Sequence, residues 1–274
     1  KILADLGAEV IKLEPPTGER ARHYGPFPND EPNIEKSGLF LYQNTNKFGG
    51  TLDLYSEEGR SLLNVLTSKV DIVIHNTSPD LAKHLQITYD DLKLHNDSLI
   101  MLSISPYGLT GPYSTYKGHE INSAALSGVT LQLGLPDRPP LNPPLFLGHS
   151  QVGLVGAMSA MIALTARDMT GVGQHIDVSE ADCWATYHNG IGLSQWLFSS
   201  RVTMRQGRHG RGGPYPNTIL PCKDGEIRMQ LFSAREWQRL LDVMGNPEWG
   251  KDPRFQDRLE MNRLYSDEVD AHIS

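Results

Sequence analysis

The feature that most constrains the fold is a pair of short, nearly continuous apolar runs at residues 70–76 and 99–104. Neither run alternates between apolar and polar residues, which is typical of strands in a parallel sheet that is covered on both faces. Helical patterns lie at residues 57–66 and within 80–95, and a β-branched strand pattern lies at 9–14. Strands that alternate with helices in this way predict a doubly wound α/β domain.

A second feature is the passage from a Pro-rich loop at residues 139–144 into a long run of small apolar residues that reaches Arg167. Ser150 is a good N-cap, so the helix is expected to begin there, with His149 just ahead of its N-terminus. Unpaired backbone N–H groups and the helix dipole would favour an anionic group at that point. The alternative is a buried helix with a capped start and no site.

Composition and charge exclude several classes of protein. The 274 residues carry a net charge of −7, which argues against nucleic acid as a partner, although a local basic pocket stays open. No apolar run is expected to span a membrane, since the nearest, 153–166, is short and rich in small residues. Cys183 and Cys222 share no close spacing, so we expect no disulfide framework and a cytoplasmic location. No signal peptide is visible, but both ends interrupt predicted elements and look truncated.

Motifs for nucleotides, metals and hydrolases are missing from the chain. No GxGxxG follows a predicted strand, and neither GxxxxGK[ST] nor GxSxG occurs. No His/Cys cluster has the spacing of metal ligands, so no metal site is predicted.

The candidate chemistry rests on a few residues. Lys117, His119 and Glu120 put a cation, an acid/base and a carboxylate within four positions, or they simply form a solvated helix start. The Gly-rich section 206–217 carries interleaved Arg and His residues. It could close over an anionic ligand, or it could be a linker.

Several stretches, in order along nearly the whole chain, resemble the family III CoA-transferases, the group that includes formyl-CoA transferase, carnitine CoA-transferase and α-methylacyl-CoA racemase. The strongest is TGVGQHIDVS at 170–179. The others are residues 4–16, 44–47, 52–54, 71–76, 107–112, 223–225 and 252–255.

This resemblance implies an α/β fold with a Rossmann-like large domain and a smaller domain. Residues 1–205 would form the large, CoA-binding domain without its first strand and helix. Residues 206–274 would form a glycine loop and the start of the small domain. The resemblance also implies two subunits interlocked like chain links, acyl-CoA and a carboxylic acid as substrates, and transfer of CoA between them without a metal.

The resemblance also carries over to single positions. Family members touch the nucleotide of CoA at the positions of Asn76, Thr77 and Lys83, and some place a phosphate-binding lysine at that of Lys117. A cation there suits the phosphates of CoA. The glycine loop that shields the thioester in formyl-CoA transferase resembles the stretch with Gly210, Gly212 and Gly213. The pair His119-Glu120 resembles the His-Asp pair of the racemases, in which the His removes an α-proton.

The chain departs from the family at His149, where transferases carry an Asp in a Gly-Asp-x-x-x-Gly stretch. That carboxylate attacks the acyl-CoA and then carries CoA as an enzyme thioester, a step that an imidazole cannot perform. Three hypotheses stay open. The chain is a transferase that uses another group or a homologous Asp-bearing partner subunit, in a homodimer or heteromer. It is an acyl-CoA racemase with His119 and His149 as bases. Or it is a non-catalytic CoA-binding subunit.

Overall fold

The computed structural model describes residues 1–187, 190–205, 207–210 and 213–274. The strands are β1 (Ile11–Glu14), β2 (Phe48–Thr51), β3 (Ile72–His75), β4 (Ile100–Ser105), β5 (Gln174–Ser179), β6 (Asn217–Cys222) and β7 (Gly225–Gln230). The helices are α1 (Ile2–Asp5), α2 (Gly38–Gln43), α3 (Glu57–Thr67), α4 (Pro79–His84), α5 (Tyr89–Leu92), α6 (Glu120–Leu126), α7 (Val129–Gln132), α8 (Leu147–Thr170), α9 (Glu180–Tyr187), α10 (Gly190–Ser199), α11 (Ala234–Val243), α12 (Arg258–Leu264) and α13 (Ser266–Ile273). Single 3-10 turns lie at Arg20–His23, Pro28–Asp30, Lys93–His95, Glu248–Lys251 and Pro253–Phe255.

The chain divides into two compact units, and neither is a single continuous segment. One comprises Lys1–Ser127 with Pro143–Gly190, and the other comprises Gly128–Asn142 with Ile191–Ser274. The expected division between a domain at 1–205 and another at 206–274 stays a prediction.

The first unit is an α/β structure with parallel strands, as predicted. β1 pairs with β2, and β3, β4 and β5 form a second parallel sheet in that order. The central strand β4 is almost wholly buried, as its unbroken apolar run predicts. The expectation that β3 is also covered on both faces was wrong: it lies at an edge of this sheet and its side chains are only half-buried or exposed.

Helix α8 packs across this sheet through small and branched residues. Val152 of α8 forms a core cluster with Leu102 of β4 and Val178 of β5. Gly156 brings the helix close, since a Cβ there would lie 3.0 Å from Cδ2 of Leu102. The turn after α8 is equally tight, because a Cβ on Gly173 would lie 2.2 Å from the carbonyl oxygen of Leu99.

Helix α8 begins earlier than predicted. Its first residue is Leu147, and Phe146, with φ of 52°, is the flanking residue, so Ser150 is not the N-cap. The Ser150 N–H donates to the carbonyl of Phe146 as an ordinary helical hydrogen bond. The cap comes instead from the Glu120 carboxylate, which accepts the N–H of Gly148 at 2.6 Å. His149 therefore lies within the first turn rather than ahead of it.

By length and apolar composition alone, α8 could cross a membrane. It has 24 residues, with 28% of its most apolar window buried. The expectation that no run is long enough was wrong, because the helix extends beyond 153–166 at both ends. One such helix is weak evidence for a membrane, since core helices of globular proteins meet the same criteria.

The second unit contains a β-hairpin and a small aromatic core. β6 and β7 are antiparallel and joined at Lys223-Asp224. The residues of the core are Tyr215, Trp237, Leu241, Phe255, Met261 and Val269.

Candidate functional site

His149 forms a pair with a buried carboxylate that the sequence did not single out. Its Nδ1 lies 3.3 Å from Oε1 of Glu180, the first residue of α9, and the two side chains are 55% and 7% exposed. The hydrogen bond that the Glu180 carboxylate accepts from the imidazole raises the pKa of His149, helped by the negative charges of Glu180 and Glu120, while burial acts in the opposite direction. Within the described part of the chain, no hydrogen bond is made to Nε2 of His149. The ring is thus held at one nitrogen while the other can take or give a proton.

Glu120 belongs to the same site but has a structural task. The residue is 8% exposed, and its carboxylate caps α8 at Gly148. This negative charge lies at the helix N-terminus, where the sequence favours an anionic group. A side chain of the protein therefore already occupies the position that an anionic ligand would take. The sequence placed Glu120 among the candidates for a different reason, its position beside His119.

Among the described residues, no hydrogen bond joins His119 to His149. It lies exposed at the N-cap of α6, where its backbone N–H donates to Oδ1 of Asn122 at 3.0 Å. The two-base arrangement of His119 and His149 therefore stays a hypothesis, whereas Glu120, Glu180 and His149 form one electrostatic group.

The backbone under His149 is held by a close approach that only glycine permits. A Cβ on Gly148 would lie 2.5 Å from Nε1 of Trp184, whose side chain is fully buried. On the outer side, the ring of Phe146 stacks on His149 with centroids 6.1 Å apart, and Tyr24 meets Phe146 edge-on at 5.6 Å. The imidazole is thus bounded by aromatic rings on one side and by buried carboxylates on the other.

The residues expected to bind CoA lie in three separate places of the first unit: the loop after β3, helix α4 and the loop before α6. Asn76 is exposed after β3, and the half-buried Thr77 donates its backbone N–H to Nδ1 of His75 at 3.2 Å. Lys83 is exposed in the last turn of α4, and Lys117 is exposed in the loop before α6. Their roles toward CoA stay predictions.

The glycine loop lies in the second unit. Its base is fixed by Asn262, whose Nδ2 donates to the carbonyl oxygens of Gly210 at 2.7 Å and Gly213 at 2.8 Å. The N–H of Gly210 also donates to the carbonyl of Asn217 at 2.7 Å. Gly212 lies outside the described residues.

One group of side chains has the composition of a metal site, namely His209, Asp267 and Asp270. The Asp270 carboxylate already accepts hydrogen bonds from the hydroxyls of Tyr215 and Thr218, at 2.7 and 3.3 Å, and lies 2.8 Å from Nε2 of His209. We interpret the group as a hydrogen-bond network of the second unit. The expectation of no metal stays a prediction.

Known proteins resemble the chain along its whole length. Residues 1–274 match CoA-transferase family III. The BbsE subunit of succinyl-CoA:(R)-benzylsuccinate CoA-transferase from Thauera aromatica is 30% identical over 97% of this chain and 64% of its own length. Acetyl-CoA:oxalate CoA-transferase from Acetobacter aceti is 33% identical over 95% of this chain and 67% of its own length.

A solved structure agrees with these sequences. The crystal structure of a CAIB/BAIF family protein from Brucella suis matches with a TM-score of 0.84 at 29% identity, over 99% of this chain and 71% of that one. The chain spans about two thirds of the length of these relatives, between 64% and 71%. The chain therefore belongs to CoA-transferase family III.

Proposed function

We propose that the protein moves CoA from an acyl-CoA to a free carboxylic acid. The observation that carries this proposal is the match to CoA-transferase family III over residues 1–274. The relatives from Thauera and Acetobacter support it, since their names give an acyl-CoA donor and a carboxylic acid acceptor. We further propose the family's Rossmann-like large domain, interlocked subunits and a cytoplasmic location. The free cysteines Cys183 and Cys222 agree with that location.

The reaction needs a carboxylate nucleophile, and of the described residues the two carboxylates near His149 are both buried and engaged. Glu180 is 7% exposed and hydrogen-bonded to the imidazole, and Glu120 is 8% exposed and caps α8. We infer that a homologous subunit with Asp at the position of His149 supplies the nucleophile. The relative from Thauera, which is named as a subunit, is in keeping with a heteromer.

In such a complex this chain would hold the nucleotide and the acid. Lys83 and Lys117 are exposed cations suited to the phosphates of CoA, and Asn76 and Thr77 would contact its nucleotide. The glycine loop with Gly210, Gly212 and Gly213 would shield the thioester. His149, with its pKa raised by Glu180, would carry a positive charge more readily than a free imidazole and would pair with a substrate carboxylate.

A second candidate is exchange of the α-proton of an acyl-CoA. It is favoured by the pair of His149 with Glu180, because a buried carboxylate that holds one imidazole nitrogen leaves the other to act as a base. In this function His119 would supply the opposite base, and CoA would not leave the acyl group.

The proposal is tested by incubating the full-length protein with succinyl-CoA or acetyl-CoA and a panel of free carboxylic acids, alone and with a homologous Asp-bearing chain from the same source. New acyl-CoA thioesters are identified by mass spectrometry. We expect transfer in the mixed complex. If the complex binds CoA but forms no new thioester with any acid, the proposed function is wrong.

A further inference from the structure

A line of three hydrogen-bonded side chains crosses the three-stranded sheet of the first unit. Nε2 of His75 on β3 lies 2.6 Å from the hydroxyl oxygen of Ser103 on β4, and that oxygen lies 2.8 Å from Nε2 of His175 on β5. Ser103 is 2% exposed, so its hydroxyl has only protein partners available nearby. Neither the family resemblance nor the site at His149 accounts for this line.

The backbone of Thr77 fixes the direction of the hydrogen bonds. Its N–H can only donate, so Nδ1 of His75, 3.2 Å away, must accept and carries no proton. The proton of His75 is therefore on Nε2, which donates to Ser103, and the Ser103 hydroxyl donates in turn to Nε2 of His175. Between these three side chains each donor meets one acceptor, and one end of the line is the backbone of the loop after β3.

Both imidazoles are kept neutral by their surroundings. Burial, together with a smaller contribution from the neighbouring His175, lowers the pKa of His75 to about 4. Burial also lowers the pKa of His175, whose ring stacks on Tyr89 at 5.2 Å, while Asp177 and Asp90 act in the opposite direction. The line requires neutral rings. A second proton on His75 would be on Nδ1, where it would face the Thr77 N–H, which is also a donor.

We propose that His75 is a positioning residue for CoA. Nδ1 of His75 accepts the Thr77 N–H, and Ser103 together with His175 holds the ring of His75. Asn76 and Thr77 therefore keep one conformation toward the nucleotide. This inference rests on the proposed function, in which these two residues contact CoA. Asn76 is exposed, while Thr77 is half-buried and tied through its backbone. Ser78, which follows, makes no side-chain cap to α4, whereas His75 holds this loop through the Thr77 N–H.

The competing explanation is that the line of hydrogen bonds only stabilises the fold. The two explanations are distinguished by variants of His75 that keep the hydrogen bond of one ring nitrogen and lose that of the other. His75→Asn places Oδ1 near the position of Nδ1, where it can accept the Thr77 N–H as in an Asx turn but cannot reach Ser103. His75→Gln reaches Ser103 but not Thr77. His75→Phe keeps the ring and loses both hydrogen bonds. His95→Phe, at an exposed histidine of the same unit, is the control.

The measurement is calorimetric titration of CoA into each full-length variant, with the melting temperature recorded alongside. We expect His75→Phe to weaken CoA binding about three- to tenfold, because the hydrogen bond that holds the Thr77 N–H is lost. His75→Gln should weaken it similarly, and His75→Asn should stay within about twofold of the unsubstituted protein because the Asx turn replaces the lost acceptor. In the transfer assay, His75→Phe should raise KM for the acyl-CoA and leave kcat unchanged.

Equal CoA affinity in the Phe and unsubstituted proteins would overturn the inference. If His75→Phe does not fold, equal affinities of the Asn and Gln variants would overturn it as well. CoA binding that depends on His75 in a protein without transfer would contradict only the proposed function. An unsubstituted protein that binds no CoA would contradict both.

Discussion

Nδ1 of His149, in the first turn of α8, lies 3.3 Å from Oε1 of Glu180, the first residue of α9. One partner is more than half exposed and the other is almost fully buried, at 55% and 7%. The buried carboxylate raises the pKa of the exposed imidazole. The proposed transfer needs a carboxylate where this chain carries His149, so we propose that this pair determines what the site can do.

Removal of the Glu180 charge should lower the pKa of His149. In Glu180→Gln the amide keeps a hydrogen-bonding group but not the negative charge that favours the imidazolium. Titration of the His149 ring signals by NMR measures the shift. Asp182→Asn, which removes a charge from the same turn of α9 without the hydrogen bond, should lower it less. An unchanged pKa in Glu180→Gln would show that the pair does not form in solution.

The same pair should make stability depend on pH. Because the folded protein holds His149 at a raised pKa, the stabilisation is fully present below the unfolded value of about 6.5 and is lost as pH rises through the folded value. The unsubstituted protein should therefore exceed Glu180→Gln in melting temperature by more at pH 5.5 than at pH 8.5. A difference that grows toward high pH would contradict this assignment of charge.

Restoring the family's carboxylate should require a second change. His149→Asp should raise transfer by the single chain, but the new carboxylate would lie beside Glu180 and near Glu120, and like charges disfavour ionisation. His149→Asp with Glu180→Gln removes one of these charges and should transfer CoA faster than the single variant. If the double variant binds CoA and is slower, Glu180 has a positive role in transfer.

Gly148 should not tolerate a side chain. Ala at this position would force its Cβ to within 2.5 Å of the Trp184 indole, in a buried contact with little room to move. We expect Gly148→Ala to lower the free energy of unfolding by about 1–3 kcal/mol, as overpacking does. Gly153→Ala, in the same helix with no atom within 4 Å of the new Cβ, is the matched control. It should raise stability by about 0.5–1 kcal/mol. Denaturant unfolding of both variants makes the comparison.

Local sequence signals predicted much of the fold. The buried strand β4 and the helix α3 lie where the pattern places them. Each depends on residues that are near one another in the chain.

Errors arose where a distant residue determines the structure. The predicted N-cap of α8, Ser150, lies four residues after the actual one, Phe146, because the helix is capped by Glu120, 28 positions before Gly148. Glu180 was missed because an acidic residue at the start of a helix usually only complements the helix dipole. Its contact with His149 needs the packing of α8 against α9. The exposure of β3 follows from its place at the sheet edge, which its apolar run does not reveal.

The central claim is CoA transfer between carboxylic acids, and it is tested most directly by the transfer assay in heavy water. The full-length protein with its Asp-bearing homologue is given an acyl-CoA and a free acid, and each thioester is analysed by mass. We predict a new acyl-CoA without deuterium at the α-carbon. Deuterium at the α-carbon with no new thioester would contradict the claim and would favour proton exchange by His149.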